Sequence, residues 1–215
     1  NLLGVYAVFE PDQLDGEDSN YHGSSALGAN DKGRFSSYWA RVDGKVTLEV
    51  MDEALLANDK PSGHGGLEND WYSCSIRSKA LCLLDPYVDE VGSRQVLMTS
   101  VTAPLLEQGN LLGMVGVDIS LATLQSLVEE MDKTLYDGQG KVLLLSHEGR
   151  VAGVEGFKVA LGDTLDQQGL SADLNGWLAK GEVVTRWSPD GALLQTFVPV
   201  SMRGTDRQWG IYIEL

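Results

Sequence analysis

Apolar residues alternate with polar ones along most of the chain, and the period is two far more often than 3.6. The sequence therefore predicts strands joined by tight turns. A first strand is expected over 2–10. A hairpin over 34–42 and 46–51 turns at Asp43-Gly44, a dipeptide that tolerates the positive φ of a two-residue turn. Residues 11–33, rich in Asp, Asn, Ser and Gly and without periodicity, predict a long surface loop of the kind that carries or covers a site. A glycine-rich connection over 61–66 leads into a short helix over 69–79 and an extended run over 83–89. Two further β-rich runs, 95–102 and 111–119, flank a Gln108-Gly109-Asn110 turn and predict a second hairpin.

At residues 120–131 the period changes. Leu121, Leu124, Leu127, Val128 and Met131 fall on one helical face, and Ser120 is placed to cap the first turn. This helix closes a first module over 1–131. Over 132–215 the strand pattern restarts, with 141–146 and 150–154 around Glu148-Gly149, 183–187 and 193–200 around Pro189-Asp190-Gly191, and finally 208–215. The expected class is α+β, two modules in tandem, each an antiparallel sheet flanked by helices, with no residue-level repeat between them.

Composition narrows the function. With 215 residues of which 43% are hydrophobic, two cores are within reach. The net charge of −15, from 31 acidic against 16 basic residues, repels phosphate backbones and excludes a nucleic-acid partner; it attracts cations, and it also serves solubility. No run approaches the roughly 18–20 apolar residues of a membrane helix. The chain opens at Asn1 without an initiator Met and closes on an apolar run over 209–215, as a segment of a longer protein would. Cys74 and Cys82 are too few for zinc and wrongly spaced for a CxxC redox pair; they either form one disulfide or are two small buried residues. No P-loop, dinucleotide fingerprint or calcium-loop alternation occurs, so neither cofactor nor metal is expected.

Candidate binding groups concentrate in three stretches, Asp70-Trp71-Tyr72, Asp85-Pro86-Tyr87-Val88-Asp89 and Gly116-Val117-Asp118-Ile119-Ser120. Asp118 ends an almost wholly apolar strand, where a carboxylate is costly unless a cation or donor satisfies it; the plainer reading is an acid that helps to cap the following helix. Tyr87 and Asp89 are two apart on an extended run and leave the same face. Trp71 and Tyr72 are either core anchors or the electron-rich faces that stabilise an ammonium group. Asp70, Asp85, Tyr38 and Trp39 are further contributors recommended by their place near these elements.

The run formed by Trp71-Tyr72, Pro86-Tyr87-Val88-Asp89, Met98-Thr99-Ser100 and Gly113-Met114-Val115-Gly116-Val117-Asp118-Ile119-Ser120 resembles the double Cache sensor domains of bacterial methyl-accepting chemotaxis receptors. The resemblance is strong over about 5–131 and weak beyond. It implies two tandem PAS-like Cache modules, the ligand enclosed in the first, membrane-distal one, and the second standing nearer the membrane. It also implies a long helix preceding the chain, a periplasmic location on an inner-membrane receptor, and a homodimer. In that family a Trp-Tyr pair, the Asp of the PYxD stretch and the Asp of the GxDIS strand line the pocket, which here implies Trp71, Tyr72, Asp89 and Asp118. The amino-acid-binding branch has an Arg two residues before the Trp, where this chain has Asn69. Loss of that guanidinium removes the partner of a ligand carboxylate and tilts selection toward polyamines or histamine. An amino-acid sensor, with Arg77 or Arg94 reaching the pocket, is the alternative, as is the same sensor on a histidine kinase or a cyclic-dinucleotide enzyme.

Enzyme readings are weaker. His64-Gly65-Gly66 resembles an oxyanion loop but no G-x-S-x-G elbow follows, and Asp89 with Asp118 as a glycosidase pair has no distinguishing motif around it. The chain is expected to bind a ligand and not to turn it over.

Overall fold

The computed structural model describes residues 2–42, 44–63, 65–165, 171–201, 203–205 and 207–215, with all their side chains except those at 135, 136, 171 and 172. Its elements in chain order are β1 (Leu2–Phe9), β2 (Ser36–Val42), β3 (Lys45–Val50), α1 (Glu53–Leu56), α2 (Asp70–Ser78), β4 (Cys82–Leu83), β5 (Tyr87–Val91), β6 (Arg94–Glu107), β7 (Asn110–Ser120), α3 (Leu121–Tyr136), β8 (Lys141–Leu145), β9 (Val151–Glu155), α4 (Ser171–Lys180), β10 (Val184–Trp187), β11 (Leu194–Ser201) and β12 (Gln208–Glu214). They form a seven-stranded sheet of order β3-β2-β1-β7-β6-β4, with β5 also on β6, and a five-stranded sheet of order β10-β11-β12-β8-β9. The α+β class with antiparallel sheets is therefore as the sequence predicts.

Local chemistry explains most of the elements and the departures from them. Gln108 and Gly109 both take positive φ, which makes the tight turn between β6 and β7. The β2–β3 hairpin pairs Val42 with Lys45, while Asp43 of its turn lies outside the described residues. The extended run expected over 83–89 is two strands, because Pro86 has no N–H to give to a ladder. α1 escapes a 3.6-residue pattern by being four residues long; the Asp52 carboxylate caps it by accepting from the Leu55 N–H at 2.8 Å. α4 was not foreseen, although Leu174, Trp177 and Leu178 carry its apolar face.

Chain contacts divide the molecule into one unit made of the residues up to Leu84 with Val88–Ile119, and a second made of Asp85–Tyr87 with Ser120–Leu215. The expected boundary after residue 131 assigns α3 to the first module, but its apolar side packs with the second. Val128 joins Val142 and Ile213 in a core on one face of the five-stranded sheet, with Met131 beside them. A Cβ at Gly153 of β9 would lie 2.6 Å from the Val128 side chain, so the glycine is what lets α3 come this close. Leu127, expected on the same helical face, is 58% exposed and points away from that core. On the other face of this sheet Leu143, Leu145, Phe197 and Tyr212 pack under Leu174 and Leu178 of α4. Each such side chain contributes about 1.5–3 kcal/mol by leaving water.

In the first unit a disulfide joins Cys74 of α2 to Cys82 of β4, with a Cα–Cα distance of 6.2 Å. Of the two readings of the cysteines, the structure takes the cross-link.

Candidate functional site

Strand registers decide which side chains meet. β1 pairs Gly4 with Ala40 and Tyr6 with Tyr38 of β2, and on its other side Gly4 with Asp118 and Tyr6 with Gly116 of β7. Directly paired residues share a face, so Tyr38, Tyr6, Gly4, Gly116 and Asp118 lie together on one side of the sheet. α2 covers that side. The Trp71 ring meets Tyr6 edge-on with centroids 5.6 Å apart, and the Tyr6 hydroxyl donates to the Trp71 carbonyl at 3.3 Å. The two glycines make room for the tyrosines: a Cβ at Gly4 would stand 2.4 Å from the Tyr38 hydroxyl, and one at Gly116 would stand 2.2 Å from Cζ of Tyr6.

Asp118 is the chemical centre of this face. It is 5% exposed, accepts a hydrogen bond from Ser100 Oγ at 2.5 Å, and has no basic side chain paired with it among the described residues. Burial pushes its pKa up to about 6; the Ser100 and Tyr38 hydroxyls pull it down and the Asp89 charge pushes it further up. The cap of α3 is Ser120, whose Oγ accepts from the Ala122 N–H at 3.3 Å, so the Asp118 carboxylate is spent on the interior and not on the helix. The Tyr38 hydroxyl is buried and lies near enough to Asp118 for each to shift the other, yet it makes no hydrogen bond of standard geometry. Its pKa is raised first by burial and then by Asp118, with smaller pushes from Asp89 and Glu49.

Asp89 belongs to the same electrostatic cluster from the exposed strand β5. Partial burial of its carboxyl group raises its pKa, the Glu90 backbone N–H at 2.7 Å opposes this, and the charges of Glu68 and Glu90 add to it. Glu49, cross-strand neighbour of Tyr38, stands on the same sheet face. Ser100, Tyr6, Glu49 and Glu68 were not singled out from sequence. Strict alternation in β1 places Tyr6 with Gly4 and Val8, but nothing local to Ser100 or Glu68 signals the carboxylates they approach.

Other expected site residues are placed differently. Trp39, one residue from Tyr38, leaves the opposite face of β2 and packs on Phe35 with centroids 6.0 Å apart. Asp70 closes its own helix, accepting from the Leu67 N–H at 2.8 Å and pairing with Arg77 at 2.6 Å. Tyr72 is buried beside Trp71, but its hydroxyl donates to Glu10 and accepts from Arg34 at 2.9 Å, and the Arg34 guanidinium stands 5.7 Å over its ring. The cation on Tyr72 is thus the protein's own. Burial and the bond to Glu10 raise the Tyr72 pKa to about 12 against the opposing pull of Arg34. Tyr87 opens β5 two residues before Asp89, half-buried, in a segment that packs within the second unit. There Asp85 accepts from the Glu148 N–H at 2.9 Å and pairs with Arg207 at 3.6 Å, which removes it from the carboxylate cluster.

His64 lies outside the described residues. Among those described, no group of three or more His, Cys, Asp or Glu side chains is placed to hold a metal, and no helix is long and apolar enough to cross a membrane. A cleft of about 230 Å³ lined by Leu14, Asp15, Asp18, Tyr21, Leu27 and Phe35 sits on the 11–33 loop and includes none of the expected site residues.

The two antiparallel α+β units are similar to known sensor domains. Residues 1–126 match the family model described as methyl-accepting chemotaxis protein-like, first PDC sensor domain. The chain belongs to this family. It is 40% identical over its whole length to the methyl-accepting chemotaxis protein TlpQ of Pseudomonas aeruginosa, of which it spans 30%. Among solved structures it is similar to a methyl-accepting chemotaxis protein X, with a TM-score of 0.72 at 25% identity, covering all of this chain and 74% of that one. The ligand-binding domain of the Pseudomonas aeruginosa PAO1 amino acid chemoreceptor PctC in complex with GABA shares the fold, with a TM-score of 0.53 at 18% identity over 100% of this chain and 74% of that one. The chain is an extracytoplasmic sensor domain of the chemotaxis-receptor type.

Proposed function

We propose that the first unit binds a small organic cation, a polyamine such as putrescine or the arylalkylamine histamine, and that the chain is the periplasmic sensing part of an inner-membrane chemotaxis transducer. The observation that carries this reading is Asp118, a buried carboxylate that meets the Ser100 and Tyr38 hydroxyls and, among the described residues, no cation. Such a group is completed by an ammonium ion, which restores the ionised form that burial opposes. The ammonium would contact Asp118 and Asp89 and lie against Trp71 and Tyr38. A second ammonium, or the imidazole of histamine, would extend toward Glu49 or Glu68, which add two more acids to the neighbourhood.

The commitments of Asn69, Arg34 and Arg77 favour a ligand without a carboxylate. Asn69, where a carboxylate-binding Arg would stand, donates from Nδ2 to the Leu56 carbonyl at 2.8 Å and accepts at Oδ1 from the Ser73 hydroxyl at 3.1 Å. Arg34 is committed to Glu10, Glu53, Tyr72 and the Phe9 carbonyl, and Arg77 to Asp70 and Ser73. Binding would favour one arrangement of a homodimeric receptor, and the difference in affinity between arrangements is the signal.

The second reading is an amino-acid sensor of the same fold, favoured by the GABA complex of PctC, whose ligand carries an ammonium and a carboxylate. Calorimetric titration of the chain with putrescine, histamine, GABA and the common amino acids separates the two. Binding of amines alone supports the first reading. Binding of amino acids with no amine response replaces it with the second.

A further inference from the structure

The surroundings of Asp118 recur in the second sheet. β7 lies between β1 and β6, and β12 lies between β8 and β11. Near the end of β7, Asp118 pairs across the strands with Gly4 of β1; at the end of β12, Glu214 pairs with Lys141 of β8. Both acids are buried, and each takes a hydrogen bond from the strand on its other side, from Ser100 Oγ of β6 and from Gln195 Nε2 of β11 at 3.1 Å. Both stand on a sheet face covered by a helix, α2 in one case and α4 in the other, while α3 covers the opposite face of the second sheet.

The two sites differ at the cross-strand neighbour. Gly4 brings no side chain, and the Tyr38 ring occupies the space a Cβ would need. Lys141 instead sends Nζ to Glu214 Oε2 at 3.2 Å and holds it 5.4 Å from the centroid of the Phe157 ring. The Tyr212 hydroxyl completes the acid's shell by donating to Oε1 at 2.6 Å. The electrostatic outcome is opposite. Burial raises the Glu214 pKa as it does that of Asp118, but the bonds from Tyr212, Lys141 and Gln195 outweigh it and leave the pKa lowered. A carboxylate on one side of an ammonium and an aromatic face on the other is the chemistry of amine recognition.

We infer that the second unit contains an amine site filled by the chain's own Lys141, and that removing this side chain opens Glu214 and Phe157 to small primary alkylammonium ions. In the wild-type chain the second unit then takes no free amine, because its ammonium place is occupied. This stands on the geometry of the second unit and is independent of which ligand the first unit binds.

The test is chemical rescue in an Asp118→Asn background, where the first unit's central carboxylate is neutral. The Lys141 side chain is 43% exposed, so Lys141→Ala removes the cation from Glu214 at a modest cost and lowers Tm by about 2–4 °C. Propylammonium chloride is expected to restore at least half of that loss, while sodium chloride at equal ionic strength and neutral 1-propanol restore none of it. Adding Glu214→Gln removes the rescue. Equal effects of propylammonium and sodium chloride, or rescue that survives Glu214→Gln, overturn the inference. Should Lys141→Ala not fold, lysine acylation of the wild-type chain followed by peptide mass spectrometry decides: Lys141 reacts several-fold more slowly than the exposed Lys180, and equal reactivity overturns the inference.

Discussion

Ser100 Oγ donates to the Asp118 carboxylate at 2.5 Å, and among the described residues this is the one hydrogen bond of standard geometry that the acid receives. That neutral donor and the nearby Tyr38 hydroxyl do not offset removal of a carboxylate from water, and the Asp118 pKa stays raised. Asp118→Asn is therefore expected to stabilise the unliganded chain at neutral pH by about 1–3 kcal/mol, while abolishing ligand binding. Thermal denaturation without ligand checks the first part and titration calorimetry the second. A lower Tm together with intact binding would give Asp118 a purely structural role.

The same group sets a pH dependence. Its folded pKa of about 6 lies above the ordinary 3.8, so the folded state holds the proton more tightly than the unfolded one. The contribution of Asp118 to stability is fully present below the unfolded value and is lost as pH rises through about 6. Cation binding runs in the other direction, because it requires the ionised acid. Affinity is expected to fall by up to about tenfold per pH unit below pH 6 and to level off above it. Calorimetric titrations across that range read the profile, and a flat one would assign the ligand's charge partner elsewhere.

The Cys74–Cys82 bridge ties the helix that carries Trp71 to the strand beside β6. In the chain-entropy account a loop this short is worth about 2–3 kcal/mol. Cys74→Ala with Cys82→Ala, or reduction, should lower Tm accordingly and weaken ligand binding, since Trp71 lies one helical turn before the anchor. An unchanged Tm would mean that packing alone holds α2.

How much of this could be read in the sequence depends on range. Period-two runs, the Gln108-Gly109 turn and Ser120 as a cap are local signals, and they appear where the sequence places them. Asp118 announces itself by ending an apolar strand. Alternation alone separates Tyr38 from Trp39, yet their closeness in sequence made both look like contributors. Tyr72 looked like an open aromatic face because its partner Arg34 lies 38 residues earlier, and no local pattern encodes that distance. The pairing of Asp118 with Ser100 is equally non-local, and α3 went to the second unit because Gly153 on β9 admits it.

The alternation of β2 also divides two environments. Tyr38 faces the buried carboxylate cluster, whereas Trp39 sits on the reverse of the sheet in a row with Val5 and Leu48, its neighbours on β1 and β3, each of them 39% exposed. Two residues adjacent in the chain therefore answer to different surroundings: a change at Tyr38 is felt by Asp118, and a change at Trp39 by a half-exposed apolar row that meets solvent.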